Sequence, residues 1–93
     1  MYKILLIEDD PDQVMLYEIK FKLEGMNLLT AYNGKDGLAM AEKELPQLIL
    51  SDIVMQEMDG LEILKRLKAN KKTKEIPVVM LTNLNKSLSL IHI

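Results

Sequence analysis

Leu48-Ile49-Leu50-Ser51-Asp52-Ile53-Val54-Met55-Gln56-Glu57-Met58-Asp59-Gly60 decides the reading of this chain. Its opening apolar run follows Pro46 and reads as a buried strand. That strand carries one carboxylate, Asp52, to its C-terminal end, and a loop then leads to Asp59-Gly60, which opens a helix. In an open α/β sheet, ligands bind outside the carboxyl ends of the strands. The question is which groups the other strand ends bring to Asp52.

Upstream, Ile4-Leu5-Leu6-Ile7 is a second apolar run, as expected of a strand covered on both faces. Glu8, Asp9, Asp10 and Pro11 follow it, and Asp10-Pro11 is a helix start: a cap, then proline at the first helical position. That helix runs to about Leu23 and stops at Gly25. Its apolar residues form two stripes, Val14/Tyr17/Phe21 and Met15/Ile19/Leu23; one faces a sheet and the other calls for a second helix. Asn27 to Tyr32 reads as a strand, and Asn33-Gly34 as a turn. The next helix places Leu38, Ala41, Glu42 and Leu45 at helical spacing and ends at Pro46. After Asp59, a helix carries Leu61, Leu64 and Leu67 inward. Residues 71–75 are a polar loop, and Ile76 to Thr82 is a last strand with proline near its start. Strands alternating with helices predict a parallel sheet covered on both faces.

The chain has 93 residues, 48% hydrophobic and 28% charged, the composition of one soluble globular domain. A net charge of -2 argues against nucleic acid as a direct partner. With no cysteine there is no disulfide, thiol nucleophile or thiolate metal site. The opening apolar run is too short for a signal peptide or membrane span, so a cytoplasmic protein with no membrane association is the expectation.

If the strands ending at Ile7 and Asp52 are neighbours, Glu8, Asp9 and Asp52 meet at one sheet edge. Clustered carboxylates repel unless something compensates them. Oxygen-only ligands suit a hard divalent ion, Mg²⁺ before Ca²⁺, and such an ion can bridge to a phosphoryl group. Thr82 ends the last strand at the same edge, with a hydroxyl to offer a phosphoryl oxygen. Asp10 and Asp59 read as caps, Met55 and Met58 as loop packing, and the lysines at 65, 68, 71, 72 and 74 as a solvated face; His92 is assigned no role.

These residues resemble the receiver domain of bacterial two-component response regulators over residues 2–83. The resemblance rests on Ile4-Leu5-Leu6-Ile7-Glu8-Asp9-Asp10, Ala31-Tyr32-Asn33-Gly34, Pro46-Gln47-Leu48-Ile49-Leu50-Ser51-Asp52, Met58-Asp59-Gly60 and Ile76-Pro77-Val78-Val79-Met80-Leu81-Thr82, in that order. It implies a flavodoxin-like, doubly wound parallel sheet of order 2-1-3-4-5. It also implies that Asp52 accepts a phosphoryl group from a sensor histidine kinase or phosphotransfer protein, with Mg²⁺ as cofactor. Asp9 and Asp52 would hold the metal directly, Glu8 largely through water, and Val54 by its backbone carbonyl. Thr82 would contact the phosphoryl group and report the switch to a downstream effector.

Departures from the family pattern stand at Gln56, where proline is usual, and at Asn83, where a small residue is usual. The family's fourth helix, fifth strand with its lysine, and last helix are not recognisable. The expected division is therefore a partial receiver domain, 1–83, and a non-matching tail, 84–93. The expected role is a phosphoacceptor switch, not a turnover enzyme. Alternatives are a silent receiver acting only as an interaction module, and a Mg²⁺-dependent aspartyl-phosphate phosphatase. The phosphatase reading wants a second aspartate at position 54, where Val54 cannot transfer protons. A nucleotide-binding domain would want glycines and amide donors where Glu8-Asp9-Asp10-Pro11 stands.

Overall fold

Lys3–Ile7 forms strand β1, and from Ile4 onward every residue of it is buried, as a continuous apolar run requires. The computed structural model describes residues 2–55 and 58–81. The other elements are α1 (Pro11–Leu23), β2 (Asn27–Ala31), α2 (Gly34–Glu44), β3 (Leu48–Asp52), α3 (Gly60–Ala69) and β4 (Val78–Leu81). The strands pair in the order β2-β1-β3-β4, all parallel, as expected of the flavodoxin-like topology. β1 lies at the centre, with Ile7 level with Ala31 of β2 and with Ser51 of β3. Asp52 is level with Leu81 of β4.

Side chains alternate across a strand, so the sheet has two differently covered faces. Ile4, Leu6 and Leu50 form one buried cluster with Val14 of α1, and Tyr17, Phe21 and Leu81 pack against it. Leu5, Ile7, Ile49 and Ala31 form the other with Ala41 of α2, Ile63 and Leu67 of α3, and Ile76. α1 thus covers one face, and α2 and α3 cover the other.

Each helix begins on a side-chain cap. Asp10 accepts from the Asp12 amide at 3.0 Å, Asn33 from Asp36 at 2.8 Å, and Asp59 from Glu62 at 2.8 Å. Asp10 and Asp59 are caps, as expected. Asn33 is one too, and the first turn of α2 follows directly from it.

The helix faces differ in part from the sequence expectation. In α3 the buried residues are Gly60, Ile63 and Leu67, while Leu61 is exposed and Leu64 is only half-buried. The inward stripe is therefore set by Gly60, Ile63 and Leu67, because Gly60 must approach the sheet. In α2 the inner face is Gly34, Gly37 and Ala41. A Cβ on Gly37 would meet Ile7 Cδ1 at 2.6 Å, so α2 lies too close to β1 for a larger residue. Leu45 leaves the helix in a left-handed conformation, φ 47°, and is exposed, not inward. On α1 the first stripe packs on the sheet, whereas Met15, Ile19 and Leu23 are exposed. β2 ends at Ala31 and leaves Tyr32 exposed, and β4 starts at Val78. Gln56, Thr82, Asn83 and the tail 84–93 lie outside the described residues.

Candidate functional site

β1 and β3 are hydrogen-bonded neighbours, so their carboxyl ends deliver acidic groups to one place. Glu8, Asp9 and Asp52 each offer a carboxylate oxygen, and these atoms all lie within 4.8 Å of one another. Asp52 is 0% exposed and Glu8 2%, while Asp9 is half-buried. By strand alternation Glu8 continues the Leu6 face and Asp52 the Leu50 face, the side covered by α1.

The chain around these acids is fixed from several directions. The Glu8 amide donates to the Ala31 carbonyl at 3.0 Å, carrying the β1–β2 ladder past the end of the strand. Glu8 Oε2 accepts from the Asp10 amide at 2.9 Å, which ties this carboxylate to the start of α1. The Ile53 amide donates to Leu81 at 3.1 Å, and the Gly60 amide donates to the Ile53 carbonyl at 2.8 Å. These bonds pin the turn after Asp52 between β4 and α3. The buried Ser51 hydroxyl donates to the Asp52 carbonyl at 3.3 Å.

Gly60 allows this closure. A Cβ there would stand 2.4 Å from the Asp52 carbonyl oxygen and 2.8 Å from Ile53 Cα. Both are backbone atoms, so only glycine lets α3 begin against the end of β3.

Three carboxylates this close suit a hard cation. Carboxylate oxygens gathered within 4.8 Å of one another are the ligand type that Mg²⁺ takes, and Asp9 and Asp52 would hold it there. The donor set fits the ion expected from the sequence. Val54, whose carbonyl was the fourth expected ligand, follows in the same pinned turn and is half-buried. Thr82 lies outside the described residues, though its neighbour Leu81 is level with Asp52.

Sequence reasoning placed Tyr17 in a packing stripe only. Burial first, then the negative charge of Glu8 and of Asp52, holds its phenol above the usual tyrosine value. Tyr17 packs on the Ile4, Leu6 and Leu50 face, the face that Glu8 and Asp52 continue. The available signal was a phenol in a stripe otherwise formed by Val14 and Phe21. Gly60 was read only as the start of a helix, and its contact with Asp52 is tertiary.

Comparison with known proteins matches residues 4–92 to the response regulator receiver domain. The chain is 40% identical over 83 residues to the response regulator PleD of Caulobacter vibrioides, covering 89% of this chain and 18% of PleD. It is 39% identical over 79 residues to an uncharacterized 14.6 kDa protein of Leptolyngbya boryana, covering 85% of this chain and 60% of that protein. The chain thus spans under two thirds of either relative. Among solved structures, it resembles the N-terminal domain of a response regulator receiver protein from Methanoculleus marisnigri, with a TM-score of 0.85 and 34% identity. That match covers 96% of this chain and 78% of the other. By the order of its sheet, the acidic edge between β1 and β3 and these likenesses, the chain belongs to the response regulator receiver family of two-component phosphorelay signalling.

Proposed function

We propose that this chain is a phosphorylation switch in which Asp52 accepts a phosphoryl group from a sensor histidine kinase or a phosphotransfer protein. The observation that supports this best is the gathering of Glu8, Asp9 and Asp52 within 4.8 Å at adjacent strand ends. In the transfer, an Asp52 carboxylate oxygen forms a bond to phosphorus as the bond from phosphorus to the donor imidazole nitrogen breaks. The electron pair of the broken bond stays on the imidazole. Asp9, Asp52 and the Val54 carbonyl would hold Mg²⁺, with Glu8 reaching it through water. The ion supplies charge neutralisation for the phosphoryl oxygens. Thr82, next after Leu81, is the expected hydroxyl partner of the phosphoryl group.

The role is a switch, not a turnover enzyme. Position 54 carries valine, which offers no acid or base to release the phosphoryl group from Asp52. The partners in this reading are a histidine donor and a downstream effector, with neither nucleic acid nor membrane bound directly. The compartment is the cytoplasm.

Metal titration followed by NMR shifts, paired with phosphoryl transfer with and without chelator, tests the reading. Wild type should bind Mg²⁺ and need it for transfer. Asp9→Ala should lose both, and Glu8→Gln should weaken binding less. Undiminished binding and transfer in Asp9→Ala would refute the metal site.

A further inference from the structure

We propose that the Tyr17 hydroxyl is a further ligand for the phosphoryl group on Asp52, donating a hydrogen bond to it from the α1 side of the acidic edge. This rests on the reading of Asp52 as the phosphoacceptor.

The placement follows from the fold. Val14, Tyr17 and Phe21 form the stripe of α1 that packs on Ile4, Leu6 and Leu50. Those strand residues share their sheet face with Glu8 and Asp52, which come next on it toward the carboxyl edge. α1 starts at that edge, at Pro11, just after Glu8, Asp9 and Asp10. Long side chains on a helix lean back toward its N-terminus, so the Tyr17 ring leans toward the acids. The rings of Tyr17 and Phe21 are 6.3 Å apart and 18° from parallel, and this stack limits where the phenol can point.

The chemistry supplies the reason for a hydroxyl at this position. Packing alone is served equally by phenylalanine. Tyr17 is half-buried, and a tyrosine there presents an apolar ring to the core and a polar tip at its rim. The acidic edge gathers carboxylates, which are acceptors only and repel a phosphoryl dianion. A neutral O–H opposes that repulsion without competing with the cation for the carboxylates. Hydrogen bonds of this kind are often long in the unliganded site and tighten when the anion arrives.

The test is beryllium fluoride binding to the full chain at constant, saturating Mg²⁺, followed by NMR shifts. Tyr17→Phe keeps the ring and its stack on Phe21 while deleting the hydroxyl. It should bind the phosphoryl mimic about ten- to a hundredfold more weakly, the usual range for one hydrogen bond to a charged group. Its Mg²⁺ affinity without the mimic should match wild type. Tyr17→Met, which is also apolar and lacks a hydroxyl, should show the same loss. If both variants bind the mimic as tightly as wild type, the proposal is overturned while the phosphoacceptor reading stands. If wild type does not bind the mimic, or Asp52→Asn binds it equally well, the phosphoacceptor reading fails and the proposal falls with it.

Discussion

Of the chain's glycines, Gly60 has the least room for a side chain. A methyl group there would collide with the Asp52 carbonyl and the Ile53 backbone, neither of which can swing aside as a side chain would. Gly60→Ala should therefore cost about 1–3 kcal/mol, the usual range for overpacking, and should weaken Mg²⁺ binding by displacing the end of β3. Urea unfolding with and without Mg²⁺ measures both. Tyr17 gives a second test at this scale, through pH. Its folded-state pKa is raised, first by burial and then by Glu8 and Asp52. Its contribution to stability is therefore complete below the ordinary phenol value and is lost as pH rises through the raised one. In metal-free buffer, Tyr17→Phe should flatten the alkaline limb of the thermal midpoint relative to wild type. An identical limb would show that the phenol is not held in this environment. Neither residue's role is legible in its own neighbourhood of sequence. Gly60 looks like any glycine at a helix start, and Tyr17 like any aromatic in a stripe, because what constrains them arrives from other strands.

The elements divide into those readable from local pattern and those set by close approach. β1 and β3 are apolar runs ending in acids, and the Asp10 and Asp59 caps precede their helices; these signals are local and each was legible. The inward faces of α2 and α3 were only partly so. Counting leucines points to Leu61, Leu64 and Leu67 in α3, but the close packing of α2 on β1 and of α3 on β3 selects Gly37 and Gly60 for the interface. A residue without a side chain gives no hydrophobic signal, so these two contacts could not be found by periodicity. The caps offer a test that separates structure from chemistry. Asp10→Ala should destabilise the fold by about 1 kcal/mol while leaving most Mg²⁺ affinity in place. Asp9→Ala should do the reverse, losing the metal and, with it, a source of charge repulsion. Val14, buried under α1, and Leu23, 82% exposed at its end, form a similar pair. Val14→Ala should lower stability clearly in denaturant, whereas Leu23→Ala should leave it nearly unchanged.

At the scale of the molecule, the parallel order β2-β1-β3-β4 creates the site, because only adjacency of β1 and β3 brings Glu8 and Asp9 to Asp52. The sequence reading reached this adjacency as a possibility for a parallel sheet, and the register now fixes it, with Ile7 level with Ser51. The site also links folding to metal. A cation that binds these converging carboxylates only in the folded form stabilises that form by mass action. Saturating Mg²⁺ should raise the thermal midpoint of wild type, chelator should lower it again, and Asp9→Ala should show little response to either. Among the described residues no helix is long and apolar enough to cross a membrane. The central claim is that this edge makes Asp52 a phosphoacceptor, and locating the phosphoryl group tests it most directly. The full chain is incubated with acetyl phosphate and Mg²⁺, then digested and mapped by mass spectrometry. The account predicts one phosphoryl group on Asp52, absent with chelator and absent in Asp52→Asn. Phosphorylation of Asp52→Asn to the wild-type level, or of wild type at another residue, would contradict it.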